Sequence, residues 1–258
     1  MILMESSERS HVYFIGAGPG DPELITLKGI NAVKRCQAVI YAGSLVAPEI
    51  LEHCAAGADI YNSASMDLEQ IIAVMVEATG RGHSVARLHT GDPSIYGAIQ
   101  EQMAELDKHG IAYSVIPGVT AVFAAAAALR TELTAPEQSQ TLVISRMAGR
   151  TPVPEDEKVA RLASHGGTFC FYLSVDRFSD ISRQFLDEGW SPQTPVAMVY
   201  RASWHDELIR RGTLADMAGQ IDEAGVSKHA VVIIGKPLGA ISAYSKLYDR
   251  DFNHGTRP

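Results

Sequence analysis

The sequence predicts an α/β protein of two halves, each a mainly parallel or mixed sheet flanked by helices. Three observations lead there. Short apolar runs of strand length alternate with segments of helical period along most of the chain. Loops rich in Gly, Pro and Asp follow the first and fourth of those runs, and a Pro-Gly loop follows the fifth. A chain of 258 residues with 46% hydrophobic content also suffices for one large or two modest domains.

Residues 11–15 form the first expected strand and run into Gly16-Ala-Gly-Pro-Gly-Asp-Pro22. A helix is expected over 23–35, with Asp21 as its N-cap and Pro22 at its first position. The glycine loop invites comparison with a dinucleotide fingerprint. Asp21, however, stands where the third glycine belongs, and its carboxylate would repel a pyrophosphate. The second strand, 38–41, ends in Ala42-Gly43-Ser44 and lacks the acid that binds a ribose. No Gly-x-x-x-x-Gly-Lys-Ser/Thr phosphate loop occurs either.

A short helix over 48–54, a strand over 59–62 and a helix over 67–79 continue the alternation. Residues 84–89 read as the fourth strand and 95–109 as a helix, with Ile95, Ile99, Met103 and Leu106 at helical spacing. Between them lies Thr90-Gly-Asp-Pro-Ser94, at the carboxyl end of a strand, where open α/β sheets bind ligands. Gly91 lets a ligand approach the backbone, Pro93 fixes the turn, and Asp92 accepts hydrogen bonds from hydroxyl or amino groups. The fifth strand, 112–116, is closed by Pro117-Gly-Val-Thr120 before an alanine-rich helix. Right-handed crossovers bring the loops after strands one, four and five to one sheet edge.

Residues 130–140 lose apolar periodicity and mark a junction by composition. Strands are expected over 141–145, 168–173, 195–200 and 230–234, with a further one over 207–211 that would make this half mixed. Helices are expected over 156–164, 175–188 and 214–224. The domains expected are 1–120 and 121–240, followed by a polar tail over 241–258.

The net charge of −8 argues against nonspecific nucleic-acid binding, which needs a basic surface. No apolar run approaches a membrane span and no secretory signal is visible, so a cytoplasmic, membrane-free protein is expected. Cys36, Cys54 and Cys170 are widely spaced, and the nine histidines show no compact ligand spacing, so no protein-bound metal is expected. There is no Gly-x-Ser-x-Gly elbow. What remains is a set of glycine loops suited to holding a ligand and aligning it rather than attacking it.

Tyr13-Phe-Ile-Gly-Ala-Gly-Pro-Gly-Asp-Pro22, Leu24-Ile-Thr-Leu-Lys-Gly29, His89-Thr-Gly-Asp-Pro-Ser-Ile-Tyr-Gly97 and Pro117-Gly-Val-Thr-Ala121 together resemble the tetrapyrrole methylase family, in order and in spacing. Within it, Tyr41-Ala-Gly-Ser-Leu-Val46, the alanine run Ala124 to Ala128, Glu132-Leu-Thr134, Gly149-Arg-Thr-Pro-Val-Pro154 and Arg201-Ala-Ser-Trp204 look like the members that methylate C-11 of a precorrin-4 macrocycle, with or without cobalt. The resemblance implies two α/β domains with S-adenosylmethionine bound as co-substrate in the cleft between them, S-adenosylhomocysteine as product, a tetrapyrrole substrate and a homodimer. It carries donor contacts onto Pro19, Gly91, Asp92, Ile95, Thr120, Ala121, Leu173, Ala202 and His229. Asp92 and Tyr96 are candidates for orienting the donor or the substrate. The macrocycle's carboxylates call for local positive charge, and Arg87, His89, Arg146, Arg150 and Arg201 flank the loops; His89, Arg146 and Arg150 are the leading candidates. Alternatives are a family member acting at another ring carbon or on a protein, as diphthine-type methylases do, and a non-catalytic module that binds an adenosyl ligand.

Overall fold

All ten expected strands form, and they sort into two five-stranded sheets. The computed structural model describes residues 10–240, 243–246 and 252. The chain divides into two compact units, 1–124 and 125–258. That division falls within the alanine-rich helix, upstream of the composition change over 130–140. The polar tail expected over 241–258 lies, apart from 243–246 and 252, outside the described residues.

In the first unit β1 (Val12–Gly16), β2 (Ala38–Tyr41), β3 (Asp59–Asn62), β4 (Val85–His89) and β5 (Tyr113–Ile116) are all parallel, in the order β3-β2-β4-β1-β5. A dinucleotide fold would set β1 beside β2. Here β4 separates them, so the topology agrees with the rejection of that fingerprint. The helices are α1 (Leu27–Val33), α2 (Pro48–Leu51), α3 (Leu68–Gly80) and α4 (Gln100–Lys108), followed by α5 (Ala121–Leu129). Val12, Phe14, Ala38, Ile40 and Val85 pack under Ile71, Ile72 and Met75 of α3 and Leu106 of α4. All five residues of β4 are buried, as expected of a central parallel strand covered on both faces. The start of α3 is well specified, because Asp67 and Gln70 form a reciprocal capping box.

Two helices of the first unit begin four or five residues later than expected, and the three of the second unit begin three residues late, at Val159, Phe178 and Met217. Asp21 caps only a single 3-10 turn, Pro22–Leu24, by accepting from Glu23 N–H at 2.9 Å. Ile25 is extended, and Thr26 then supplies a second cap for α1 by accepting from Gly29 N–H at 3.1 Å. The helix expected over 95–109 starts only at Gln100, because Tyr96 (φ 56°) and Ala98 (φ 48°) adopt left-handed backbone that no α-helix accommodates. Ile95 and Ile99 have helical spacing without sharing a helix.

In the second unit β6 (Leu142–Arg146), β7 (Thr168–Tyr172), β8 (Pro195–Tyr200), β9 (Leu208–Thr213) and β10 (Ala230–Ile234) stand in the order β6-β7-β10-β8-β9. Only β6 and β7 are parallel, so the sheet is mixed. The helices are α6 (Val159–Ala163), α7 (Phe178–Asp187) and α8 (Met217–Ala224). Phe178, Ile181 and Phe185 of α7 pack with Phe169, Phe171, Met198 and Val232 of the sheet and with Met217 and Ile221 of α8. Among the described residues no helix is long and apolar enough to cross a membrane.

Candidate functional site

Sheet order alone places the three glycine-bearing loops side by side, because β1 lies between β4 and β5. Backbone hydrogen bonds then join them. Ala17 N–H donates to His89 O at 2.8 Å, and Gly18 and Gly91 form a two-way bridge, with Gly91 N–H to Gly18 O at 2.8 Å and Gly18 N–H to Gly91 O at 3.3 Å. Asp92 completes the junction: Oδ1 accepts from Ser94 N–H and Oδ2 from Gly118 N–H, both at 2.8 Å. The carboxylate thus fixes its own turn and ties the fourth-strand loop to the fifth. Asp92 does structural work here, with each oxygen already accepting a charge-assisted hydrogen bond.

Close backbone approach requires two glycines that sequence reasoning did not single out. A Cβ on Gly16 would stand 2.5 Å from Gly118 Cα and 2.6 Å from Gly91 O, and one on Gly118 would run into Gly91 O and Gly16 Cα. Gly91 needs glycine for a different reason. A Cβ there would meet nothing nearer than Thr120 Cα at 3.6 Å, but its φ of 65° is left-handed. The same distances put Gly91 against Thr120 and against Ala121, whose N would lie 3.8 Å from that Cβ. Ile95 N–H donates to Asp92 O at 3.2 Å, and Pro19 directly follows the bridged Gly18. Pro19, Gly91, Asp92, Ile95, Thr120 and Ala121 are therefore gathered at one sheet edge, with the half-exposed Tyr96 on the same loop.

Beneath this edge lies a buried polar row. Arg87 and His89 project from the same face of β4, and only 5% and 4% of their surfaces are exposed. Arg87 Nε donates to Gln102 Oε1 at 3.2 Å and Nη1 to Ser63 Oγ at 2.9 Å, while Ser63 in turn donates to Tyr41 O at 3.0 Å. Burial pulls the Arg87 pKa down to about 10, which leaves it charged at neutral pH. Burial, and then the charge of Arg87, pull His89 down to about 3. His89 is consequently neutral, and its Nε2 has no hydrogen-bond partner among the described residues. In this state His89 carries no positive charge.

In the second unit the three carried-over positions meet at one edge of the mixed sheet, since Tyr200 pairs with Ala230 and Phe171 with Val232. Leu173 follows β7 and is 73% exposed, Ala202 follows β8 and is buried, and His229 precedes β10. Arg201 N–H donates to His229 O at 2.8 Å. Leu173, Arg201, Ser203 and His229 have φ values of 52°, 46°, 69° and 59°. Such strain in residues that carry a Cβ collects at functional edges, and nothing in their side-chain types signals it. Ser174, fully buried beside Leu173, was also missed: its Oγ accepts from Met147 N–H at 2.8 Å and donates to Tyr172 O at 2.6 Å.

The arginines expected to bind carboxylates divide by role. Arg146 spends its guanidinium on its own loop, with Nη1 donating to Met147 O at 3.3 Å and Thr151 O at 3.2 Å, and Nη2 to Pro152 O at 2.8 Å. Arg150 stands exposed on the loop so organised. Arg201 is paired with Asp206 at 2.8 Å. Among the described residues no group of three or more His, Cys, Asp or Glu could hold a metal ion.

Comparison with known proteins agrees with this architecture. The family model described as Tetrapyrrole (Corrin/Porphyrin) Methylases matches residues 11–218. A cobalt-precorrin-4 C(11)-methyltransferase of Methanocaldococcus jannaschii is 52% identical over 247 residues, covering 95% of each chain. The crystal structure of a cobalt precorrin-4 methyltransferase is 42% identical with a TM-score of 0.89, covering 92% of this chain and all of that one. A uroporphyrin-III C-methyltransferase from Thermus thermophilus, complexed with S-adenosylhomocysteine, is 28% identical with a TM-score of 0.73, covering 88% of this chain and 92% of that one. The chain belongs to the tetrapyrrole methylase family.

Proposed function

We propose that this chain is an S-adenosylmethionine-dependent methyltransferase that methylates C-11 of cobalt-precorrin-4 or precorrin-4, giving the precorrin-5-level intermediate of corrin-ring synthesis. The observation that carries this reading is the 52% identity, over nearly the full length of both chains, to a relative named for that reaction. The knitted loops supply its physical basis. When bound, S-adenosylmethionine brings a methyl group already activated by its sulfonium centre. The chain's task is then to bind, orient and exclude water. Gly91 supplies the left-handed backbone of its turn against Thr120 and Ala121, and Asp92 locks the loops that flank it. Pro19, Gly91, Asp92, Ile95, Thr120, Ala121, Leu173, Ala202 and His229 are the proposed donor contacts. No side chain is required as a nucleophile.

For the acceptor, Arg150 is the proposed carboxylate contact and Arg146 holds the loop that presents it. A homodimer, as the family resemblance implies, is part of the proposal. Three free cysteines are consistent with a reducing compartment such as the cytoplasm. The test is incubation of the purified chain and S-adenosylmethionine with precorrin-4, with and without cobalt, followed by mass analysis. Gain of one methyl group in either arm supports the reading. Binding of S-adenosylhomocysteine without a methylated product would reduce the protein to an adenosyl-binding module.

A further inference from the structure

The turn between β8 and β9 is held more tightly than its length requires. Trp204 N–H donates to Arg201 O at 3.0 Å, and Glu207 N–H donates to Trp204 O at 3.0 Å, so two turns follow in succession. Ser203, third residue of the first turn, has a φ of 69°, where a turn of this hand favours glycine, and Arg201 has a φ of 46°. Neither residue adopts such backbone without restraint. Three restraints are present. The Arg201 guanidinium stacks 4.2 Å above the centre of the Trp204 ring. Its Nε lies 2.8 Å from Asp206 Oδ1, with the N–H not directed along that contact, so charge fixes its position and stacking fixes its plane. Glu207 Oε2 accepts from Ser203 N–H at 2.7 Å. The clamped segment contains Ala202 and is tied to His229 by the Arg201 N–H, and both residues are proposed donor contacts.

We propose that Arg201 is a positioning residue for donor binding: stacked on Trp204 and paired with Asp206, it holds the 201–204 turn in its strained form and so sets Ala202 and His229 for the adenosyl ligand. This rests on the reading of the chain as an S-adenosylmethionine-dependent methylase. Arg201 is not assigned to the tetrapyrrole carboxylates, because Asp206 already neutralises it and its side chain is only 20% exposed.

The probe is S-adenosylhomocysteine, titrated calorimetrically into the wild type, Arg201→Gln, Trp204→Leu and the double variant Arg201→Gln/Ser203→Gly, with thermal unfolding recorded for each. Arg201→Gln and Trp204→Leu should each weaken binding by about tenfold. In turnover they should raise the KM for the donor, leaving kcat and the tetrapyrrole KM within about twofold. Ser203→Gly removes the need to restrain a left-handed residue, and should restore the double variant to within about threefold of the wild type. Donor affinity unchanged in Arg201→Gln, a rise confined to the tetrapyrrole KM, or failure of Ser203→Gly to restore binding would overturn the proposal. If Arg201→Gln does not fold, Trp204→Leu decides by the same criterion. A wild type that does not bind S-adenosylhomocysteine overturns the functional reading itself, an outcome distinct from loss in the variants alone.

Discussion

At the residue scale, the first site is built from backbone contacts that tolerate no side chain at two positions. Gly118→Ala would press a methyl group into Gly91 O and Gly16 Cα, where no flexible side chain can yield. Overpacking of this kind should cost about 3 kcal/mol and abolish S-adenosylhomocysteine binding. Gly91→Ala has room for its Cβ and bears only the left-handed cost of about 1–2 kcal/mol. Urea denaturation should rank Gly118→Ala as the more damaging, and the reverse order would mean that the loops are not packed as described. His89 makes a separate, pH-dependent contribution. Its pKa falls from 6.5 to about 3 on folding, so between those values the unfolded chain binds more protons than the folded one. The stability that His89 contributes is complete above pH 6.5 and declines as pH falls toward 3, by at most about 1.4 kcal/mol per pH unit. His89→Gln should therefore flatten the dependence of the urea midpoint on pH between 7 and 5. Parallel profiles for the two proteins would show that His89 protonates freely in the fold.

At the element scale, the second unit depends on α7 seating Phe185 among aromatic rings. Phe169 and Trp190 lie with centroids 5.0 Å from it and Phe171 at 6.0 Å, all near edge-to-face. Phe185→Ala should cost about 3–5 kcal/mol. Both tryptophans of the chain, Trp190 and Trp204, belong to this unit, so fluorescence-detected urea unfolding reports it selectively. A loss below about 1 kcal/mol would contradict the packing. Elements governed by apolar patterning were legible in the sequence. Pro195–Tyr200 and Ala230–Ile234 coincide with their expected limits, because unbroken apolar runs bounded by turn residues leave no competing register. Elements governed by local backbone geometry were not. Thr26 outcompeted Asp21 as the cap of α1, and the left-handed Tyr96 and Ala98 postponed α4 by five residues, from 95 to 100. Ile95, with a hydrophobic neighbour four residues on, gave a helical signal that the turn overrode.

At the scale of the whole molecule, the convergence of the loops after β1, β4 and β5 followed from alternating strands and right-handed crossovers alone, and the sheet order bears it out. The position of positive charge did not follow. Spacing along the chain cannot distinguish an arginine that faces solvent, such as Arg150, from one that is buried, such as Arg87, or one engaged with its own loop, such as Arg146. The strained edge carrying Leu173, Arg201, Ser203 and His229 was equally invisible, since Leu, Arg and Ser rarely adopt left-handed backbone and one His among them is no marker of it. The proposed activity is transfer of one methyl group to one ring carbon. The measurement that tests it most directly is turnover of precorrin-4, in its cobalt and metal-free forms, with S-adenosylmethionine labelled with carbon-13 in the transferred methyl group, followed by carbon-13 NMR of the product. Methylation at C-11 gives a single new labelled methyl resonance on that carbon. Label on any other ring carbon, or none despite bound S-adenosylhomocysteine, would contradict it.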